Sequence, residues 1–196
     1  MKLPPRLLAW AARVLLNEQS KPQLSISEAA MSRLELAIRQ IKFTRGYTND
    51  MLQHIHVNDW FHMPKEGVTH IAWQVGHLAM AEYRLLLERV RGVRDEDEQL
   101  LPKVFLEKFG KGSVPTKSPD DYPSSADIVG VFDRVHQQAL KELPNLPDEV
   151  LDEPPETPHQ LLKTKYDSLI WMAHHEMLHA GQIGLLRRLL GEKPLR

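Results

Sequence analysis

The chain is 196 residues long, 42% hydrophobic and 26% charged, a balance that suits one globular domain with a substantial core. Its formal net charge is -1 with no basic cluster, which excludes an electrostatic nucleic-acid footprint, and no apolar run reaches the ~18 residues that a membrane span needs. Cysteine is absent, so a disulfide scaffold, thiolate metal ligands and a cysteine nucleophile are excluded, and a reducing cytoplasm is the expected setting.

Residues 1–24 read as an N-terminal extension ahead of a domain spanning 25–196. Leu7, Leu8, Ala9, Trp10, Val14, Leu15 and Leu16 form an apolar stretch with Arg6 and Arg13. Arg13 breaks what would be a signal-peptide core, and no small-residue cleavage site follows, so a short amphipathic helix packed on the domain, or a weak surface anchor, is expected. The prolines then divide the chain. Residues 23–63, 65–101, 124–143 and 159–193 contain none, and each window is long enough for a long helix.

In the first window Ala30, Leu34, Ala37, Ile41, Thr44, Thr48 and Leu52 step by four and three, behind a Ser25–Glu28 capping box. The second, from about Thr69 to Arg91, is apolar around much of its circumference and should be buried, with Gly92 as its stop. A polar crossover over 92–123 follows, with a short helix around Val104 to Phe109. Its acidic run from Asp95 to Glu98 reads as a solvated loop. The third helix carries Ile128, Phe132, Val135 and Ala139 and ends before Pro144. The fourth runs from about Leu161 to Leu190 and is stopped by Gly191 and Pro194. Strand signals are weak, so the expected fold is an all-α four-helix bundle with a long crossover between its second and third helices.

The fourth helix carries the chemistry. Ser168, Met172, His175, His179, Gln182, Leu186 and Leu189 repeat by four and three, the spacing of an inward seam. Two histidines one turn apart on such a seam both need a polar partner, and one cation satisfies both. A third ligand should come from a facing helix. His77, in the most apolar stretch of the chain, is the candidate. Gln182, one turn further along, is expected to support a ligand from behind or to touch substrate. Glu176 is an acid/base candidate whose alternative is a solvated helix face. His70 and His136 could line a pocket mouth or simply be exposed. His54, His56, His62 and His159 fall in loops, and His174 should face another surface.

Two motif readings compete. His175 to His179 spells H-E-x-x-H, the zinc-protease motif, in which Glu176 would be the base. No histidine follows His179, the only later carboxylate is Glu192 beyond Gly191, and position 182 is Gln where the extended motif needs Gly. A di-iron carboxylate site would use Glu176 with His179 and Asp133 with His136, plus a Glu from each of two other helices. Glu35 and Glu82 are available, but neither stands on a clear inward line.

The strings WQVGHLAMAEYRLLL (Trp73 to Leu87) and HHEMLHAGQIGLLRRLLG (His174 to Gly191) resemble the DinB/YfiT-like superfamily of metal-binding four-helix bundles over roughly residues 25–191. The resemblance implies that His77, His175 and His179 form a triad holding a divalent metal, commonly nickel or zinc, with open positions for water or substrate. It implies a small-molecule substrate and often a homodimer, and no DNA chemistry. Relatives include S-transferases and isomerases that use bacillithiol or mycothiol, and metal-dependent hydrolases. The expected function is a metal-dependent S-transferase or hydrolase, any thiol being exogenous. The alternative is a non-catalytic bundle with a structural metal or a binding role.

Overall fold

A computed structural model describes residues 31–65 and 68–195, and among them the chain is all-α, without a strand. The extension over 1–24 and the Ser25–Glu28 capping box lie outside the described residues. Helix α1 (Arg33–Leu52) opens on a capping box of its own. The Ser32 hydroxyl accepts from the Glu35 amide at 3.1 Å, and the Glu35 carboxylate accepts from the Ser32 amide at 2.8 Å. Its buried stripe follows the expected seam from Leu34 to Thr48 but closes on Met51 rather than Leu52, and it is wide enough to include Ile38 and Arg45.

Helix α2 (Ile71–Glu82) starts at His70, whose Nδ1 accepts from the Trp73 amide at 3.1 Å. It continues through a π-helical stretch (Tyr83–Glu88) into a last turn (Arg89–Arg91). The run ends where the sequence puts its stop, at Gly92, whose φ of 81° lies in the left-handed region.

The crossover begins with a helical turn (Asp97–Leu100). Asp97 is not solvated as expected of the acidic run. It is 5% exposed, bound by Arg91 at 2.8 and 2.9 Å, by the Tyr83 hydroxyl at 2.9 Å and by the Arg94 amide at 2.9 Å. This pins the crossover to the end of the second long helix. Short helix α3 (Lys103–Phe109) then buries Phe105 and Phe109. It approaches α2 at Gly76, where an added Cβ would lie 2.5 Å from the Phe109 ring.

Helix α4 (Ser125–Glu142) is capped by Ser124 and buries Ile128, Val131, Phe132, Val135, His136 and Ala139. Helix α5 (Lys165–Leu189) starts later than the apolar pattern suggests, because Thr164 and Asp167 form a capping box there. It ends before Gly191, which has a φ of 89°. The bundle pairs α1 with α5 and α2 with α4, and α2 also packs on α5. That last contact brings the candidate histidines face to face. No described helix is long and apolar enough to cross a membrane.

Candidate metal centre

His77 projects from α2, and His175 and His179 from successive turns of α5. One ring nitrogen from each lies within 4.8 Å of the others. The Nε2 atoms of His77 and His175 are 3.2 Å apart. Two nitrogens bound to one tetrahedral zinc would be separated by about 3.3 Å, given bonds of about 2.0 Å.

The rear nitrogens of two rings are tied down. His77 Nδ1 donates to the Phe109 carbonyl at 2.7 Å, and His179 Nδ1 donates to the Gln74 side-chain oxygen. Both acceptors are oxygens without protons, so in each neutral ring Nδ1 carries the hydrogen and Nε2 presents a lone pair. Gln74 is itself oriented, because its amide nitrogen donates to Thr69 Oγ1 at 3.0 Å and to Gln182 Oε1 at 2.9 Å. Metal-binding imidazoles are commonly held by such outer hydrogen bonds. Burial lowers the basicity of all three rings. His175 falls to about 4, with His77 adding to the effect, and His179 to about 3, with His175 and His77 adding. At neutral pH the triad is therefore three uncharged donors, a set that suits a borderline divalent cation.

A cleft of about 390 Å³ opens in front of His77 and His175. Trp73 stacks on His77 with ring centroids 4.8 Å apart and planes 12° from parallel. Its indole N–H donates to Ser113 Oγ at 3.1 Å, tying it to the crossover. Trp171 also lines the cleft, its ring centroid 6.2 Å from that of His175, and His179 is the more buried imidazole, 8% exposed.

A family model described as the DinB superfamily matches residues 40–183, which include all three histidines. The chain belongs to the DinB superfamily. No curated protein matches it.

Several side chains of this DinB-superfamily bundle lie elsewhere than the seam pattern places them. Glu176 is not on a solvated face. It is fully buried, its Oε1 accepting from Arg45 Nε at 2.9 Å. Glu82, which shows no clear inward line in the sequence, is also fully buried and is the second carboxylate on Arg45. Arg45 Nη1 donates to the Phe132 carbonyl at 3.0 Å, and its guanidinium lies 3.4 Å from the Phe132 ring centroid. The carboxylates of a di-iron site are thus present in part, but the guanidinium sits between them. Burial raises the Glu176 carboxyl above its ordinary value against the pull of Arg45. Burial would raise Glu82 too, but Arg45 and then His136 hold it below.

His136 and His70 are neither exposed nor at a pocket mouth. His136 is buried with Nδ1 2.7 Å from Glu82 Oε1, and His70 is the buried cap of α2. His54, His56, His62 and His174 are exposed as expected, while His159 is half-buried at the cleft. Gln182 is exposed and reaches the triad only through Gln74. Gln74, the Phe109 carbonyl and the Arg45 cluster escape the sequence reading. A signal existed for Arg45 and Glu176. Leu34, Ile38, Ile41, Arg45 and Thr48 step by four and three, as do Met172, Glu176, His179, Ile183 and Leu186.

Proposed function

We propose that His77, His175 and His179 bind a divalent metal ion, nickel or zinc, and that the chain is a metal-dependent enzyme acting on a small molecule, of thiol-dependent S-transferase or hydrolase type. The observation that carries this reading is the cleft. Two of the three imidazoles form part of its wall, so the triad has a side open to a small molecule. Structural ions are ordinarily closed in on all sides. When bound, the ion supplies Lewis acidity on that open side.

The chain's own residues position and shield. Phe109 and Gln74 hold two imidazoles with their lone pairs inward. Gln182 fixes the orientation of Gln74 rather than touching substrate. Trp73 walls one side of the cleft and keeps water from the His77 ring. Glu176 has no acid–base role here, because its carboxylate is committed to Arg45 in the core. With no cysteine in the chain, any sulfur nucleophile is an exogenous low-molecular-weight thiol, so a cytoplasmic setting belongs to this reading. A homodimer belongs to it as well. The exposed Leu36, Phe43 and Met177 line one groove of α1 and α5, and light scattering on the full chain tests it.

The test is metal analysis of protein purified without a histidine tag, followed by turnover and unfolding with and without chelator. We expect one equivalent of divalent metal, turnover within panels of thiol acceptors and esters, and loss of both in His77→Ala with little loss of stability. Large destabilisation by chelator without turnover would assign the ion a structural role instead. No metal uptake would overturn the reading altogether.

A further inference from the structure

The cleft carries a charge that the metal reading does not use. Trp73, His77, Trp171 and His175 line one part of it, and Arg84, Arg89, Lys111 and His159 line another. None of its described lining residues is acidic.

Arg89 is the telling member. It is 7% exposed, its Nε is buried without a hydrogen-bond partner, and its Nη1 donates only to the Arg84 carbonyl at 3.3 Å. The nearest acid in sequence, Glu88, is directed to Arg84 at 3.3 Å. Among the described residues no carboxylate forms an ion pair with Arg89. By contrast Arg45, Arg91 and Lys165 each hold two carboxylates. A buried guanidinium whose Nε has no partner, repelled by Arg84 and offset in charge by Glu88 without an ion pair, is costly to the fold, and an anion in the cleft would relieve that cost.

The backbone places this arginine deliberately. From His77 to Arg89 a regular α-helix would rotate through about three turns and a further 120°, turning Arg89 away from the histidine. The π-helical stretch Tyr83–Glu88 lies between them. One extra residue accommodated there takes back about 100° and returns Arg89 to the His77 side. His159 is under the same positive field, since burial and then Arg89, Lys111 and Arg84 lower its basicity. Its Nδ1 accepts from the Leu161 and Leu162 amides at 3.2 and 3.3 Å, which leaves Nε2–H as the donor of the neutral ring.

We propose that the cleft binds a small anionic molecule, its carboxylate or phosphate held by Arg84, Arg89 and Lys111 and its body between Trp73 and Trp171 beside the triad. This deepens the metal-centre reading and rests on it for the reaction, but anion binding itself needs only the cationic wall. The volume suits a small molecule, and the two indoles offer flat apolar surface.

The test titrates the full chain, chelator-stripped and zinc-loaded, with phenyl phosphate, benzoate and neutral benzyl alcohol by calorimetry at low salt. At least one anion should bind both forms at least tenfold more tightly than the alcohol, and weaken as salt rises. The preferred anion decides between phosphate and carboxylate. Arg89→Met should weaken it at least tenfold without lowering the melting temperature. Arg84→Gln and Lys111→Gln, at more exposed positions, should each weaken it about threefold or more, while Lys42→Gln on α1 leaves it unchanged. Equal binding of alcohol and anions overturns the proposal. Binding confined to the zinc form and indifferent to these variants also overturns it, since the anion would then be a ligand of the ion alone. Anion binding that persists in a chain unable to take up zinc supports the cationic wall and removes only the metal reading.

Discussion

Gly76→Ala links the packing of the bundle to the candidate metal centre. A Cβ at this position would lie 2.5 Å from Phe109 Cε1 and 2.6 Å from Cδ1 and Cζ. Carbon atoms pack at about 3.5–4.0 Å, so the ring has to retreat by roughly 1 Å. Phe109 is fully buried, with Phe105 5.1 Å away and Tyr122 5.7 Å away between ring centroids, so α3 must move with it. Overpacking of this kind costs about 1–3 kcal/mol, offset by up to about 1 kcal/mol of helix propensity from glycine to alanine. With the full offset the net expectation is a loss of up to about 2 kcal/mol. The same displacement pulls the Phe109 carbonyl from His77 Nδ1, 2.7 Å away, and loss of such an outer partner weakens metal binding about 10–100-fold. Urea denaturation of the metal-free chain reads the first effect, and competition with a chelating dye reads the second. Gly46→Ala is the control, because nothing lies within 4 Å of its added Cβ. It should match or exceed the parent in stability with unchanged zinc affinity. Parental stability and zinc affinity in Gly76→Ala would refute the claim that α3 braces His77.

Gln74→Leu should weaken zinc binding about 10–100-fold, whereas Gln182→Ala, which acts only through Gln74, should weaken it less; dye competition measures both. Arg45→Met should lose about 3–5 kcal/mol in urea denaturation, since it strands two buried carboxylates. Glu176→Gln should lower stability but leave zinc uptake intact, and loss of zinc uptake would restore the carboxylate-site reading in which Glu176 is a metal ligand. The metal-free chain should lose stability as pH falls. His175 and His179 are held in the fold at about 4 and about 3, while an unfolded histidine titrates near 6.5. Their contribution is therefore complete above about pH 6.5 and is withdrawn as the unfolded state takes up protons below it. Denaturation midpoints between pH 7 and 4 measure this, and His179→Gln should flatten the profile.

The helices were legible because proline and glycine act locally. Among the described residues the proline-free windows contain every long helix, and Gly92 and Gly191 end two of them at positive φ. The histidine pair was legible because two residues four apart on a helix share a face whatever surrounds them. Which face is innermost was harder to read. The seam drawn through His175 and Gln182 is rotated from the true one, which passes through Glu176, His179 and Ile183. His175 consequently sits at the edge of the core, where it can line a cleft, and Gln182 is exposed. Apolar periodicity assigns charged residues outward by default, so it hides Arg45, Glu82, Glu176 and Asp97, whose burial depends on partners distant in sequence. Gln74 escaped for the same reason. The π-helical stretch has no composition signal and shows only in the backbone.

Anomalous X-ray scattering from a crystal of the full chain tests the central claim most directly. A single strong peak is expected where the His77, His175 and His179 rings converge, with each Nε2 about 2.0–2.1 Å from it if the ion is zinc. Diverging rings, or scattering that falls elsewhere in the bundle, would contradict the account.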